Sequence, residues 1–390
     1  MKINFPERAV CYTKMRATVF DHIKFAESMT KEAIATKDQS ATVFATTKAL
    51  QDSPFMRACR REPVPYTPIW LMRQAGRYMQ EYREVRARTT FLELCKRPEL
   101  ATEVTVYAAE RLGVDAAIIF ADILLIVEPM GIELEFAKGE GPQLHNPIRT
   151  SADVDRLREV ESVDSLDFVM EAIRQTRRAL KPELPLIGFA GAPFTLASYI
   201  IEGGSSKNYI HTKRLMYTDA GAWHEMMSRI ARSLARYLNA QIAAGAQAVQ
   251  LFDSWVGCLS LHDYREYVLP HTRNVIENIT HGTPVLHFGT GTAAMLEAMK
   301  EAGGDVIGLD WRVDLSDAWQ RLGDVAVMGN LDPITLFTNP NYLRGEAKRI
   351  LDEAANRPGH IFNLGHGILP ETPVDNVIAL VDAVHELSRR

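Results

Sequence analysis

The chain has 390 residues, 46% hydrophobic and 24% charged, a composition that buries a large core and excludes disordered and fibrous classes. A formal net charge of -5 gives no global basic field, so nucleic acid is not an expected partner and anion recognition must come from local cations. Four cysteines, Cys11, Cys59, Cys95 and Cys258, lack C-x-x-C spacing, which argues against a disulfide framework or structural zinc and fits a reducing, cytoplasmic compartment.

Residues 1–55 read as an N-terminal extension. Its first 50 residues hold eight Lys or Arg and five Asp or Glu, with no apolar h-region of a secretory signal. A transit peptide, a helical extension and an upstream start codon before Met56 all remain open readings. The longest apolar run, Ala116 to Val127, is cut by Asp122 and falls short of the ~20 residues that span a bilayer, so no membrane partner is expected.

From residue 56 to 390, short apolar runs alternate with longer segments of helical spacing. The runs are "PIWLM" (68–72), "AAIIFAD" (116–122), "PLIGFAG" (185–191), "AVQLFDS" (248–254), "PVLHFG" (284–289), "VIGLDW" (306–311), "VAVMGN" (325–330) and "HIFNLGHG" (360–367). Near-continuous apolar strands of this kind suit a parallel sheet covered by helices. Between them, "PELATEVTVYAAERLG" is expected to end at Gly113, "AWHEMMSRIARSLARYLNAQIAAG" at Gly245 and "TAAMLEAMKEAGG" at Gly303 and Gly304, each a C-terminal cap. The segment "GIELEFAKGEGPQLHNPI" predicts a hairpin inserted in the second strand-to-helix connection. Eight such units predict an α/β fold, a single-domain (β/α)8 TIM barrel, in preference to an open doubly wound sheet.

In such barrels chemistry sits at the carboxyl ends of the strands. There the sequence places Arg73 and Arg77, Asp122, Asp253 and Ser254, Asp310, Asn363 and His366. Arg73 and Arg77 share a face if the stretch is helical, and two adjacent guanidiniums suit a carboxylate ligand unless Glu81, Glu84 or another protein carboxylate takes them. Asp122 is costly to bury without a partner, so it serves either as a structural acceptor or as a charge held for a ligand. His366, flanked by Gly365 and Gly367, is open to a ligand role and to a packed core role alike. "GTGTAAMLE" lacks the third glycine of a dinucleotide fingerprint, and no phosphate-loop, zincin or G-x-S-x-G motif is present.

Together, "WLMRQAGRYM", "FADILL", "GFAGAPFTLASYIIEGG", "QLFDSW" and "NLGHGILPETP" resemble the uroporphyrinogen decarboxylase family of haem biosynthesis, from about Cys59 to near the C-terminus. The family usually has proline after "RYM", where this chain has Gln80, and often serine before the aspartate, where it has Ala121. Neither change removes a functional group. The resemblance implies a barrel, usually a homodimer, that converts the four acetates of uroporphyrinogen III to methyls without metal or organic cofactor. It places substrate binding on Arg73, Gln74, Ala75, Gly76 and Arg77, with Arg86, Tyr199, Ser254 and His366, and makes Asp122 the cation stabiliser. Arg73, Arg77 and Asp122 are then the catalytic group, while Arg73, a bound water and His366 remain candidate proton donors. Two other readings are a corrinoid-linked zinc methyltransferase of the same barrel group, which should show cysteines near strand ends, and a non-catalytic tetrapyrrole-binding protein.

Overall fold

The computed structural model describes residues 47–137 and 141–390. The readings of the first 46 residues therefore lie outside the described part.

The apolar runs become strands because both their faces are covered. They form β1 (Ala117–Ile118), β4 (Leu186–Gly191), β5 (Ala248–Asp253), β6 (Val285–Gly289), β7 (Val306–Gly308), β8 (Ala326–Met328) and β9 (His360–Ile361), while β2 (Leu134–Ala137) and β3 (Gly141–Leu144) form the expected hairpin. The seven run parallel in the order β1-β4-β5-β6-β7-β8-β9, a curled sheet with helices in the connections.

Only seven of the eight expected strands are in that sheet. Segment 68–72 makes one bridge, Ile69 to Phe362, and the Ile69 carbonyl accepts a 2.8 Å hydrogen bond from Asp115 N–H on its other side. Its remaining donors go to side chains, which shortens the ladder. Ile69 N–H donates to Asp115 Oδ2 at 2.8 Å and Met72 N–H to Asn363 Oδ1 at 3.2 Å, and Pro68 has no N–H to give.

Side chains alternate between two cores. Ile69, Leu71, Ala117, Leu186 and Val249 belong to the large outer core under the helices; Trp70, Met72, Ile118, Ile187 and Ala248 belong to a smaller inner one. This period of two, with both faces apolar, explains why the strands read as continuous hydrophobic runs. Phe55 and Met56, from the helix Pro54–Cys59, also enter the inner core. That helix lies at the strands' amino ends, where Arg61 pairs with Asp324 just before β8 and packs on Gly359 just before β9.

Helix ends follow local chemistry. Pro98–Leu112 stops at Gly113, Ala220–Ala244 at Gly245 and Leu296–Ala302 at Gly303, with glycine φ values of 70°, 120° and 115°. Since each carbonyl end is capped there, the chain turns back toward the next strand's amino end. The opposite rim is left to polar loops.

Candidate active site

Residues 73–77 form turns and bends rather than a helix. Arg73 itself has φ 63°, a left-handed conformation uncommon outside glycine and often found at functional sites. Gln74 is fully buried with its carbonyl accepting from Tyr78 Oη at 2.7 Å, and Gly76 turns close to the Arg73 carbonyl, where a Cβ would stand 3.1 Å away. Ala75 packs on the outer core. These neighbours hold the turn, and both arginine side chains stay exposed.

The four arginines of the segment divide into two kinds. Arg83 donates to the carbonyls of Arg77 and Tyr78, each at 2.8 Å, and Arg86 donates to the Thr89 carbonyl while lying 6.0 Å from the Phe91 ring. Arg86 is thus engaged with its own loop and the aromatic layer of Phe91. By contrast, no described carboxylate lies within ion-pair distance of Arg73 or Arg77, and Glu81 and Glu84 do not take them. Two guanidiniums are left for something outside the described chain.

Asp122 is near. The chain leaves β1 after Ile118, Phe120 N–H turns to Thr105 Oγ1 at 2.9 Å, and Asp122 Oδ1 then accepts Leu124 N–H at 2.8 Å. Burial pushes the carboxyl of Asp122 up to about 6, against the opposing pull of the Leu124 hydrogen bond and the Arg73 charge. It is a carboxylate in a largely apolar rim, partly open to solvent, with Arg73 as the cation it feels.

Tyr199, on helix Pro193–Glu202, stacks on Trp255 with ring centres 3.8 Å apart and an interplanar angle of 29°. Its hydroxyl is raised by burial and then by the Asp122 charge, with Arg73 opposing. Ser254 follows β5 and borders a cleft of about 170 Å³ with Tyr209, Trp255, Thr290, Gly291 and Arg312. Behind it Asp253 is fully buried, with Oδ1 accepting from Thr195 Oγ1 at 2.9 Å, and burial lifts its carboxyl to about 7.

On the far side, the loop after β9 brings His366 edge-on to Trp311, with ring centres 6.4 Å apart. The two glycines beside it are spaces for neighbours. A Cβ on Gly365 would lie 2.3 Å from Trp311 N, and one on Gly367 would lie 2.4 Å from Arg73 Cδ. Burial first, and then the charge of Arg73, lowers the imidazole of His366 to about 4, so it is neutral at physiological pH. Asn363 is occupied structurally, its Oδ1 accepting from Met72 N–H and Leu364 N–H. Asp310 is likewise tied, accepting from Gly291 N–H at 2.5 Å and Arg312 N–H at 3.0 Å.

Arg73, Asp122, Tyr199 and His366 therefore share one rim of the sheet and one electrostatic neighbourhood, and Ser254 borders the adjoining cleft. Along the sequence, residues 50–387 match the family model described as uroporphyrinogen decarboxylase (URO-D). The chain belongs to the uroporphyrinogen decarboxylase family. It is 60% identical over 336 residues to a uroporphyrinogen decarboxylase of Carboxydothermus hydrogenoformans, covering 86% of this chain and 96% of that protein. A uroporphyrinogen decarboxylase of Sorangium cellulosum is 58% identical over 337 residues, with the same coverage of 86% and 96%. Among solved structures, a methyltransferase from Methanosarcina mazei superposes with a TM-score of 0.69 at 20% identity, covering 85% of this chain and 97% of that one, a likeness of fold.

For a uroporphyrinogen decarboxylase family member, sequence reasoning stopped at Asp310 and passed over Arg312, two residues on. The strand-end rule could have found it, because "LDWR" sets a second polar side chain on the same rim. Trp255 and Trp311 were missed for another reason. An aromatic residue beside a polar one looks like core in a sequence, and only the folded loops show Trp255 under Tyr199 and Trp311 against His366.

Proposed function

We infer that this protein removes the carboxyl groups of the four acetate side chains of uroporphyrinogen III, giving coproporphyrinogen III and four CO2. The observation that carries the reading is Arg73 beside the rim carboxylate Asp122, with Arg77 four residues on in the same exposed turn and neither arginine ion-paired among the described residues. The substrate is an anion at its edge and a ring of N–H donors at its centre. Arginines suit the carboxylates through paired, planar hydrogen bonds, and a carboxylate suits the pyrrole N–H groups.

Each turnover needs an electron sink, because CO2 departure leaves a carbon-centred pair. A proton added to the ring carbon beside the acetate-bearing carbon makes the pyrrole cationic. The bond to the carboxylate then breaks, its electrons flow into the ring, and an exocyclic methylene remains. A second proton converts that methylene to a methyl, and the ring carbon gives its proton back. One proton is consumed per acetate, and the protonated pyrrole serves as the sink without a cofactor. Ionised Asp122 stabilises the cation by preorganised electrostatics.

Arg73 and Arg77 orient carboxylates, Gln74, Ala75 and Gly76 shape the turn that presents them, and Tyr199, Ser254 and His366 recognise substrate side chains. A neutral His366 is a hydrogen-bond partner rather than a resident acid at pH 7, which leaves Arg73 and a bound water as donors of the first proton. Arg86 contributes from the second layer through its loop.

The same reading includes closure of the sheet by segment 68–72 into a (β/α)8 barrel, supported by its bonds to Phe362 and Asp115. It includes a division into an extension, 1–55, and a barrel domain, 56–390, and a cytoplasmic homodimer. No described helix is long and apolar enough to cross a membrane. The test is anaerobic incubation of purified protein with uroporphyrinogen III, without added metal or cofactor. Products with seven down to four carboxylates are expected; folded protein that releases no CO2 overturns the reading.

A further inference from the structure

Arg312 is held on the rim by its neighbours and borders the cleft beside Ser254. Its Nη1 donates to Asp310 Oδ2 at 2.5 Å, its own N–H to Asp310 Oδ1 at 3.0 Å, and its guanidinium lies 3.9 Å from the centre of the Trp311 ring. Asp310 is itself fixed, being 1% exposed and hydrogen-bonded to Gly291 N–H. One edge and one face of the guanidinium are therefore immobilised. Yet 48% of the side chain is exposed, and among the described residues its other N–H groups have no acceptor.

That free part borders the cleft of about 170 Å³ shared with Ser254, whose hydroxyl makes no hydrogen bond among the described residues. The cleft is smaller than the roughly 300 Å³ of ordinary small-molecule pockets, so it suits a side arm and excludes a tetrapyrrole. Its chemistry, a preset guanidinium beside a hydroxyl, suits a carboxylate on a short flexible chain. The charges of Arg73 and Arg312 both bear on His366, so the two guanidiniums reach the same imidazole, Arg73 from the segment that follows residues 68–72 and Arg312 from the loop after β7.

We propose that Arg312 is a specificity residue that holds a propionate carboxylate of the substrate in the cleft beside Ser254, while Arg73 and Asp122 engage the reacting acetate. The proposal rests on the decarboxylase reading above. It follows from chemistry that the propionates survive all four steps. A residue that grips one of them makes the same contact in every step, which raises affinity without favouring the transition state of any one.

The experiment compares initial rates of wild type, Arg312→Gln and Arg312→Lys on uroporphyrinogen III and on the pentacarboxylate intermediate, with thermal melting of each protein. Arg312→Gln should raise KM about 10- to 100-fold, the size of one charge-assisted hydrogen bond, with kcat nearly unchanged. Arg312→Lys should recover part of the loss, since charge returns without the fork. The penalty should be equal on both substrates, because the pentacarboxylate keeps one acetate, the reacting one, and any other carboxylate it presents is a propionate. A KM unchanged in Arg312→Gln, or raised only on uroporphyrinogen, overturns the proposal. If Arg312→Gln fails to fold, Arg312→Lys decides by the same KM comparison. Wild type that makes no product in the same assay refutes the decarboxylase reading instead, so the two failures are distinct.

Discussion

Gly367 and Arg73 are separated by 294 residues of chain, yet the space a Cβ would need at Gly367 is already filled by the Arg73 side chain, 2.4 Å from its Cδ. The last strand's loop thereby positions the first segment's cation. Gly367→Ala must push Arg73 aside, and its backbone tolerates alanine, so the effect is on position rather than fold. We expect kcat/KM to fall about 10²-fold, the scale of a 1 Å misplacement, with little change in melting temperature. Steady-state kinetics with a thermal melt check both halves; unaltered kcat/KM would show that Arg73 needs no such seat.

Asp122→Asn keeps shape and removes charge. The rate should drop about 10²- to 10³-fold, as when one electrostatic stabiliser is removed. The same substitution should stabilise the protein. Burial raises this carboxyl from 3.8 to about 6, so its ionised form disfavours the folded state at pH 7, by about 1–3 kcal/mol after allowing for partial solvent access. A variant that is slower and melts higher is the expected pair; wild-type turnover would remove Asp122 from the mechanism.

The pH dependence has a definite sign. With its carboxyl raised to about 6, Asp122 is ionised above that value and neutral below it. If the ionised form stabilises the pyrrole cation, kcat/KM is flat near pH 7.5 and falls toward tenfold per unit below about 6. His366, lowered to about 4, stays neutral over this span and adds no inflection between pH 5 and 8. The acid limb should vanish from the residual activity of Asp122→Asn. On stability the sign is opposite: the folded state binds the Asp122 proton more tightly, so this group's contribution improves as pH falls from above 6 toward 4.

Arginines in one short segment should respond differently. Arg77→Lys should raise KM about tenfold and leave the melt unchanged, because a point charge replaces a fork at a position with no protein partner among the described residues. Arg83→Ala should lower the melt by about 1–3 kcal/mol of stability, since it leaves the carbonyls of Arg77 and Tyr78 without their donor. If both variants changed only KM, the division of the cluster into ligand and structural arginines would be wrong.

Asp115 accepts Tyr66 Oη at 2.9 Å, Ile69 N–H at 2.8 Å and His385 at 2.7 Å, tying segment 68–72 to the rest. Asp115→Ala should cost about 2–4 kcal/mol by denaturant unfolding, the sum of several charge-assisted bonds weakened by partial exposure. Its site effect should be indirect, through looser placement of Arg73. A stability loss under 1 kcal/mol would mean that other contacts hold the segment.

Much was legible in the residues themselves. Period-two burial on both faces made the strands continuous apolar runs, Gly113, Gly245 and Gly303 marked helix ends, and "AKGEGP" marked the hairpin. These are local properties, set by backbone sterics and burial, and they brought Arg73, Asp122, Ser254 and His366 into view, while Tyr199 entered only through the family resemblance. Tertiary structure decided which polar group faces which. It made residues 73–77 a turn instead of a helix, with Arg73 in the left-handed region at φ 63°. It placed Phe55 in the inner core, committed Arg83 and Arg86 to carbonyls, and, among the described residues, left Arg73, Arg77 and part of Arg312 without an acceptor. A hydrogen-bond donor carries no record in its own sequence of the acceptor that will reach it. That choice belongs to the loops converging on the rim, and there Gly367 decides where Arg73 points.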